Sequence, residues 1–234
     1  MTVSYEKTKA QLLDAILVHV AFEGWSLASF QAAIRDADVS PAVARAVCPR
    51  GAVDLAMAYH QEGDRSMVER LQTEDLTHLR FREQVAALVR FRLEVVTDKE
   101  AVRRGVTLFA LPIHAADGAR LIWGTADLIW QTLGDTSDDL NWYTKRATLC
   151  GVYSSTVLYW LGDDSAGSTA TWEFLDRRID EVMQIEKLKS KVRESPVLSR
   201  LMAGPEWLAS QIKAPRSTDG GDLPGRWSMP GDQG

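Results

Sequence analysis

Apolar residues recur at helical spacing along nearly the whole chain. Leu12, Leu13, Ile16, Leu17, Val20 and Ala21 form an i, i+4, i+8 stripe in a segment that ends near Gly24. Ser26 caps a second helix carrying Leu27, Phe30 and Ile34, and Ser40-Pro41 supplies a cap and a first-turn proline for a short third helix, Pro41 to Val47. Beyond Pro49-Arg50-Gly51 the spacing predicts helices over about 51–73, 79–97, 99–111, 117–133, 139–162 and 170–191, separated by short Gly, Pro, Asp or Ser signals. Period-two alternation is absent, so the expected fold class is all-α, with about nine to ten helices. The stretch Ala147 to Leu161 is apolar on nearly all sides, which predicts a central helix enclosed by others. From Pro196 to Ile212 apolar residues recur at near-helical spacing with a break at Gly204-Pro205. The last 21 residues, 214–234, hold five Gly and three Pro and are expected to be a disordered tail.

Composition is that of an ordinary globular domain, 45% hydrophobic and 25% charged, with a net charge of −5. The order helix, turn, short helix is that of a helix-turn-helix, but the charge argues against DNA. Residues 1–65 carry six basic groups against eight acidic ones, and the segment Pro41 to Val47 has only Arg45 and none of the Asn, Gln, Ser or Thr that read base edges. No nucleic-acid partner is expected. The longest uncharged stretch, Ala147 to Gly162, is sixteen residues, short of the ~20 that span a bilayer. The N-terminal residues show neither a signal-peptide core nor an Arg-rich transit peptide, so the expected compartment is the cytoplasm. Cys48 and Cys150 stand far apart without a CxxC and are read as inert, buried thiols.

No nucleophile elbow, P-loop or GxGxxG is present, and none of His19, His60, His78 and His114 has a second His or Cys at ligand spacing. Asp75 and His78 read as a solvated face, and Asp127, between Trp123 and Trp130, as a buried carboxylate with a structural role. The expectation is a protein that is not an enzyme, with no cofactor and no metal. Two features rise above this background. Eight Trp and Tyr fall within 123–172, and of these Trp142-Tyr143 sits in a first helical turn beside Lys145-Arg146. Neighbouring helical residues point ~100° apart, so both rings do not easily face one core strip. Aromatics beside Arg fit a protein-protein hot spot, and burial in the core is the competing reading. The second feature is residues 187–216, with seven basic against two acidic residues beside an apolar stripe. That combination suits a helix lying in an anionic membrane interface, or a helix docked on the core or across a dimer.

The runs Gly134-Asp135-Thr136-Ser137-Asp138-Asp139-Leu140-Asn141-Trp142-Tyr143-Thr144-Lys145-Arg146 and Thr171-Trp172-Glu173-Phe174-Leu175-Asp176-Arg177-Arg178-Ile179, with Asp127-Leu128-Ile129-Trp130 and Tyr153-Ser154-Ser155-Thr156, strongly resemble the Coq-nine family of ubiquinone-biosynthesis accessory proteins. The similarity extends over residues 5–192 and suggests a bacterial, alphaproteobacterial member. The resemblance implies a tetracycline-repressor-like helical fold with a degenerate N-terminal helix-turn-helix, a homodimer, and an internal apolar pocket for an isoprenoid quinone or phospholipid. It implies a non-catalytic protein that presents a quinone intermediate to a ubiquinone-pathway hydroxylase, the di-iron demethoxyubiquinone type, on the inner face of the cytoplasmic membrane. The partner-binding motif of the family falls on Asn141, Trp142, Tyr143, Lys145 and Arg146. Expected domain limits are 1–192 for the lipid-binding domain, 193–213 for an amphipathic helix and 214–234 for the tail. The membrane-binding residues are then Leu198, Leu201, Met202, Trp207, Leu208 and Ile212, and the pocket candidates Phe109, Leu111, Ile122, Ile129, Val157 and Trp160. The alternative is a ligand-sensing transcriptional repressor of the same fold.

Overall fold

Leu12, Ile16 and Val20, spaced one helical turn apart, are all fully buried on α1 (Thr2–Glu23). Full burial of each such side chain contributes roughly 1.5–3 kcal/mol, which sets the seam on which the N-terminal helices pack. The helix stops at Gly24, whose φ of +65° a side chain would oppose. Ser26 then accepts from the Ser29 amide in a capping box that starts α2 (Leu27–Asp36), and Ser40 accepts from the Val43 amide ahead of α3 (Pro41–Val47). A computed structural model describes residues 2–137 and 140–194. Among these, six further helices follow: α4 (Ala52–Thr73), α5 (Phe81–Glu94), α6 (Lys99–Phe109), α7 (Ala115–Thr132), α8 (Leu140–Leu161) and α9 (Thr169–Glu194). No strand occurs among the described residues.

Two hydrophobic clusters organise the helices. The first joins α1, α2 and α3 to the start of α4 and to Ala101 of α6. The second gathers α4 through α9 around Met67, Leu88, Ile129, Leu149, Trp160 and Leu175. Helix α4 belongs to both, through Leu55 and Ala56 at one end and Met67 at the other. Polar ties cross the seam: Trp25 Nε1 donates to the Ala101 carbonyl at 3.0 Å, and Arg104 donates to the Ala21 carbonyl at 3.0 Å. A buried indole N–H that finds a carbonyl avoids the cost of an unpaired donor, so these bonds fix α6 against the α1–α2 corner.

One expectation is corrected. Helix α8 is not enclosed on all sides, because Leu158 is 60% exposed, Gly151 faces outward, and Tyr159 lies on the surface stacked on Phe174 of α9 at 4.5 Å. An aromatic pair offsets the exposure of that face where no further helix among the described residues covers it. The amphipathic helix expected over 193–213, with Leu198, Leu201, Met202, Trp207, Leu208 and Ile212, and the tail 214–234 lie outside the described residues apart from the last turn of α9.

Candidate functional site

Between the two clusters lies a cavity of about 680 Å³. Its walls come from α1 (Leu13, Leu17), α4 (Ala56 to Ser66), the end of α5 (Arg92, Leu93), α6 (Val102, Val106, Phe109), α7 (Gly118, Leu121, Ile122) and α8 (Tyr153, Val157). The lining is largely apolar, within the size range of small-molecule and cofactor sites. Exposed Asp14, Glu62, Thr97 and Leu158 also border it and mark its rim. Of the residues expected to line a pocket, Phe109, Ile122 and Val157 do so. Ile129 and Trp160 are buried in the second cluster instead, and Leu111 is half exposed in the turn after α6. Ile129 stands two turns beyond Ile122 on the same face of α7 and Trp160 one turn beyond Val157 on α8, past the stretch of each helix that borders the cavity, while Leu111 falls after α6 has ended.

One wall of the cavity is polar, and sequence reasoning did not find it. Arg92 Nε donates to Asp64 Oδ1 at 2.7 Å and Nη2 to the His60 carbonyl at 2.8 Å. Thr125, fully buried, lies 2.9 Å from Asp64 Oδ1 and 2.8 Å from His60 Nε2. Gly63 is required here, since a Cβ would meet the Arg92 guanidinium at 2.5 Å. The legible signals were small: His60 and Asp64 at i, i+4, and an Arg inside the apolar run Leu88 to Leu93. Burial, and next the Arg92 charge, push the His60 pKa down to about 4, so its imidazole is neutral at pH 7. The unfolded chain takes up a proton near pH 6.5, whereas the folded protein resists it until about pH 4. Stability is therefore expected to decline as pH falls from about 6.5 to 4. Thermal melts of His60→Gln should show that slope reduced; an unchanged slope assigns it to other groups.

The second candidate site is the start of α8. Asn141 and Thr144 are exposed, while Trp142 and Tyr143 are half buried, with their rings 4.8 Å apart and 5.9 and 6.5 Å from Trp123 of α7. Lys145 reaches back to Asp135 at 2.8 Å. Arg146, expected on the partner surface, is only 1% exposed. Its Nε donates to Asp127 at 2.5 Å and its Nη1 to Asp135 at 3.0 Å, and its guanidinium stacks 3.9 Å from the Trp142 ring. The motif thus splits, with aromatics and Asn141 on the outside and Arg146 as the post behind them. Burial pushes the Asp135 carboxyl upward, but hydrogen bonds from Lys145, Ser137 and Arg146 outweigh it and bring the pKa down to about 2.

Asp127, expected to be buried, is only partly so, with a quarter of its side chain exposed, and it is held by Arg146 and Gln131. Asp75 accepts from Thr77 in a surface turn, and no group of three or more His, Cys, Asp or Glu suited to a metal occurs among the described residues. Cys48 is a buried free thiol and Cys150 a half-buried one, with burial raising both pKa values. No helix among the described residues is long and apolar enough to cross a membrane.

The architecture matches the crystal structure of a TetR transcriptional regulator from Nitrosomonas europaea with a TM-score of 0.61 at 18% identity, covering 74% of this chain and 96% of that one. The COQ9 domain matches residues 115–186, the stretch that carries α7, α8 and most of α9. The chain is 34% identical over 190 residues to the mitochondrial ubiquinone biosynthesis protein COQ9 of Drosophila melanogaster, over 78% of this chain and 57% of that protein. It is 29% identical to COQ9-A of Xenopus laevis (77% and 59%) and 25% identical to human COQ9 (82% and 63%). It thus spans under two thirds of the length of these relatives. The domain at residues 115–186 and the relationship across most of the chain show that it belongs to the COQ9 family.

Proposed function

We propose that the protein is a non-catalytic accessory factor of ubiquinone biosynthesis. It holds an isoprenoid quinone or related lipid in the internal cavity and, as a homodimer on the inner face of the cytoplasmic membrane, presents it to a hydroxylase of that pathway. The observation that carries this reading is the cavity of about 680 Å³ with its largely apolar walls, in a chain whose relatives are named ubiquinone biosynthesis proteins. At ~0.8 kcal/mol per buried CH₂, an isoprenoid tail does not leave the bilayer for water unless something covers it. The two candidate sites share elements. Ile122 lines the cavity and the adjacent Trp123 joins the aromatic patch, while on α8 Tyr143 and Ser154 lie about 16 Å apart along the axis at 1.5 Å per residue. A hydroxylase docked on Asn141, Trp142 and Tyr143 would therefore sit within one helix length of the lipid.

The test is to incubate the purified chain with anionic liposomes containing ubiquinone, repurify it, and apply native mass spectrometry with lipid extraction. Near-stoichiometric quinone or isoprenoid lipid supports the reading. Protein that emerges empty would sink it and favour protein-protein scaffolding. The regulator-like fold favours one second reading, a ligand-sensing repressor. That reading requires specific DNA affinity that falls steeply with salt, and α3 offers it only Arg45. A gel shift with genomic fragments separates the two.

A further inference from the structure

We propose that the polar wall formed by His60, Arg92 and Tyr153 is a head-group site that accepts a neutral ligand oxygen and disfavours an anionic one, so that the cavity selects lipids ending in an uncharged carbonyl over fatty-acid carboxylates. This rests on the lipid-holding reading above and adds to it the basis of selection.

Arg92 is paired with Asp64 and bonded to the His60 carbonyl, and Thr125 is engaged by Asp64 and by His60 Nε2. Tyr153 differs from these. It is 4% exposed, lines the cavity, and its hydroxyl makes no hydrogen bond among the described residues. The fully buried unpaired side-chain polar atoms among the described residues are Arg104 Nε and Arg178 Nε, so the Tyr153 hydroxyl keeps access to the cavity it lines, where an acceptor atom on a guest can bond to it. Burial pushes the Tyr153 pKa up, so the group is a proton donor at neutral pH and calls for an acceptor oxygen.

Charge then decides what kind of oxygen. The Arg92 cation is compensated by Asp64 at 2.7 Å, and His60 is neutral at pH 7. The remaining charged side chains that border the cavity, Asp14 and Glu62, are both acidic. A carboxylate placed against Tyr153 would find no uncompensated cation, and its burial would leave a net negative charge in an apolar space. A quinone or ester carbonyl needs only the donor. The same wall therefore rewards a neutral acceptor and penalises an anion.

The experiment is a titration of the full chain, followed by tryptophan fluorescence and calorimetry, with two ligands of equal tail length: a benzoquinone bearing a ten-carbon tail and decanoate. Wild type should bind the quinone at least about tenfold more tightly than the carboxylate. Tyr153→Phe, which keeps the ring and removes the hydroxyl, should weaken quinone binding about tenfold, the loss of roughly one hydrogen bond at 1.4 kcal/mol per decade, and leave decanoate binding unchanged. Quinone binding that is equal in Tyr153→Phe, or matched by decanoate in wild type, overturns the head-group site while the lipid cavity stands. If wild type binds neither ligand, the head-group site and the lipid-holding reading fall together. The wild-type ligand comparison does not depend on how the variant folds.

Discussion

Replacing Arg146 by Ala is expected to cost about 3–5 kcal/mol of stability. The side chain is 1% exposed and holds two carboxylates, Asp127 and Asp135, that come from different segments. Its removal leaves both with one partner fewer; Asp127, a quarter exposed at its side chain, can turn to water, but Asp135 cannot. Asp135, only 4% exposed at its side chain, would keep Lys145 and Ser137 alone. For a chain of this length each kcal/mol lowers the melting temperature by roughly 2–4 °C, so a drop on the order of 10 °C should appear in a circular dichroism melt. In Arg146→Met/Asp135→Asn, where the carboxylate charge leaves together with the cation, the loss should be smaller, because much of the cost is the stranded anion. A melting temperature within about 2 °C of wild type in Arg146→Ala would place that residue on the surface after all. The depressed Asp135 pKa adds a pH signature. Stability from this carboxylate is present above its usual titration near pH 4 and is lost as pH falls toward about 2. Without Arg146 that acid limb should move to higher pH.

Under the proposed docking of a hydroxylase on the start of α8, Trp142→Ala should do the reverse, with modest damage to the fold and a large loss of that binding. The indole is half buried and covers the Arg146 guanidinium at 3.9 Å, so its removal costs a cation-π contact, about 1–2 kcal/mol where the cation is buried. Held by Trp123, Tyr143 and Arg146, the ring is already in place before a partner arrives, which spares the ordering cost of binding. Anchors of this kind carry 2 kcal/mol or more in alanine scans, so affinity for the hydroxylase is expected to fall at least about 30-fold. Surface plasmon resonance against the immobilised hydroxylase, read beside the melting curve, separates the two effects. Unchanged affinity with a lowered melting temperature would make Trp142 a lid over Arg146 and remove it from the docking surface.

These two predictions differ because the structure divides a motif that is continuous in the chain. Asn141 to Arg146 reads as one basic-aromatic patch, and charge beside aromatics is the composition of an interface. A helix separates such neighbours by phase: Asn141 and Thr144 turn outward, whereas Trp142 and Arg146, one turn apart and so on one face, pack toward α7, with Arg146 buried beneath the half-buried Trp142 ring. Ile129 and Trp160 missed the cavity because it ends before their turns of α7 and α8, and the α1 and α4 walls were not anticipated because their apolar stripes look like any core-facing stripe.

What the sequence alone determined is local. The caps at Ser26 and Ser40, the stop at Gly24, the three-to-four-residue spacing of apolar positions and the all-helical class each depend on residues a few places apart, whose interactions are set by backbone geometry. The tertiary structure alone decided which distant polar groups meet: Arg92 with Asp64 28 residues away, His60 with Thr125 65 away, and Arg146 with Asp127 19 away. Polar side chains on two helices pair only when crossing angle and rotation bring them face to face, and those are fixed by the packing of the whole apolar surface, not by any short stretch of it.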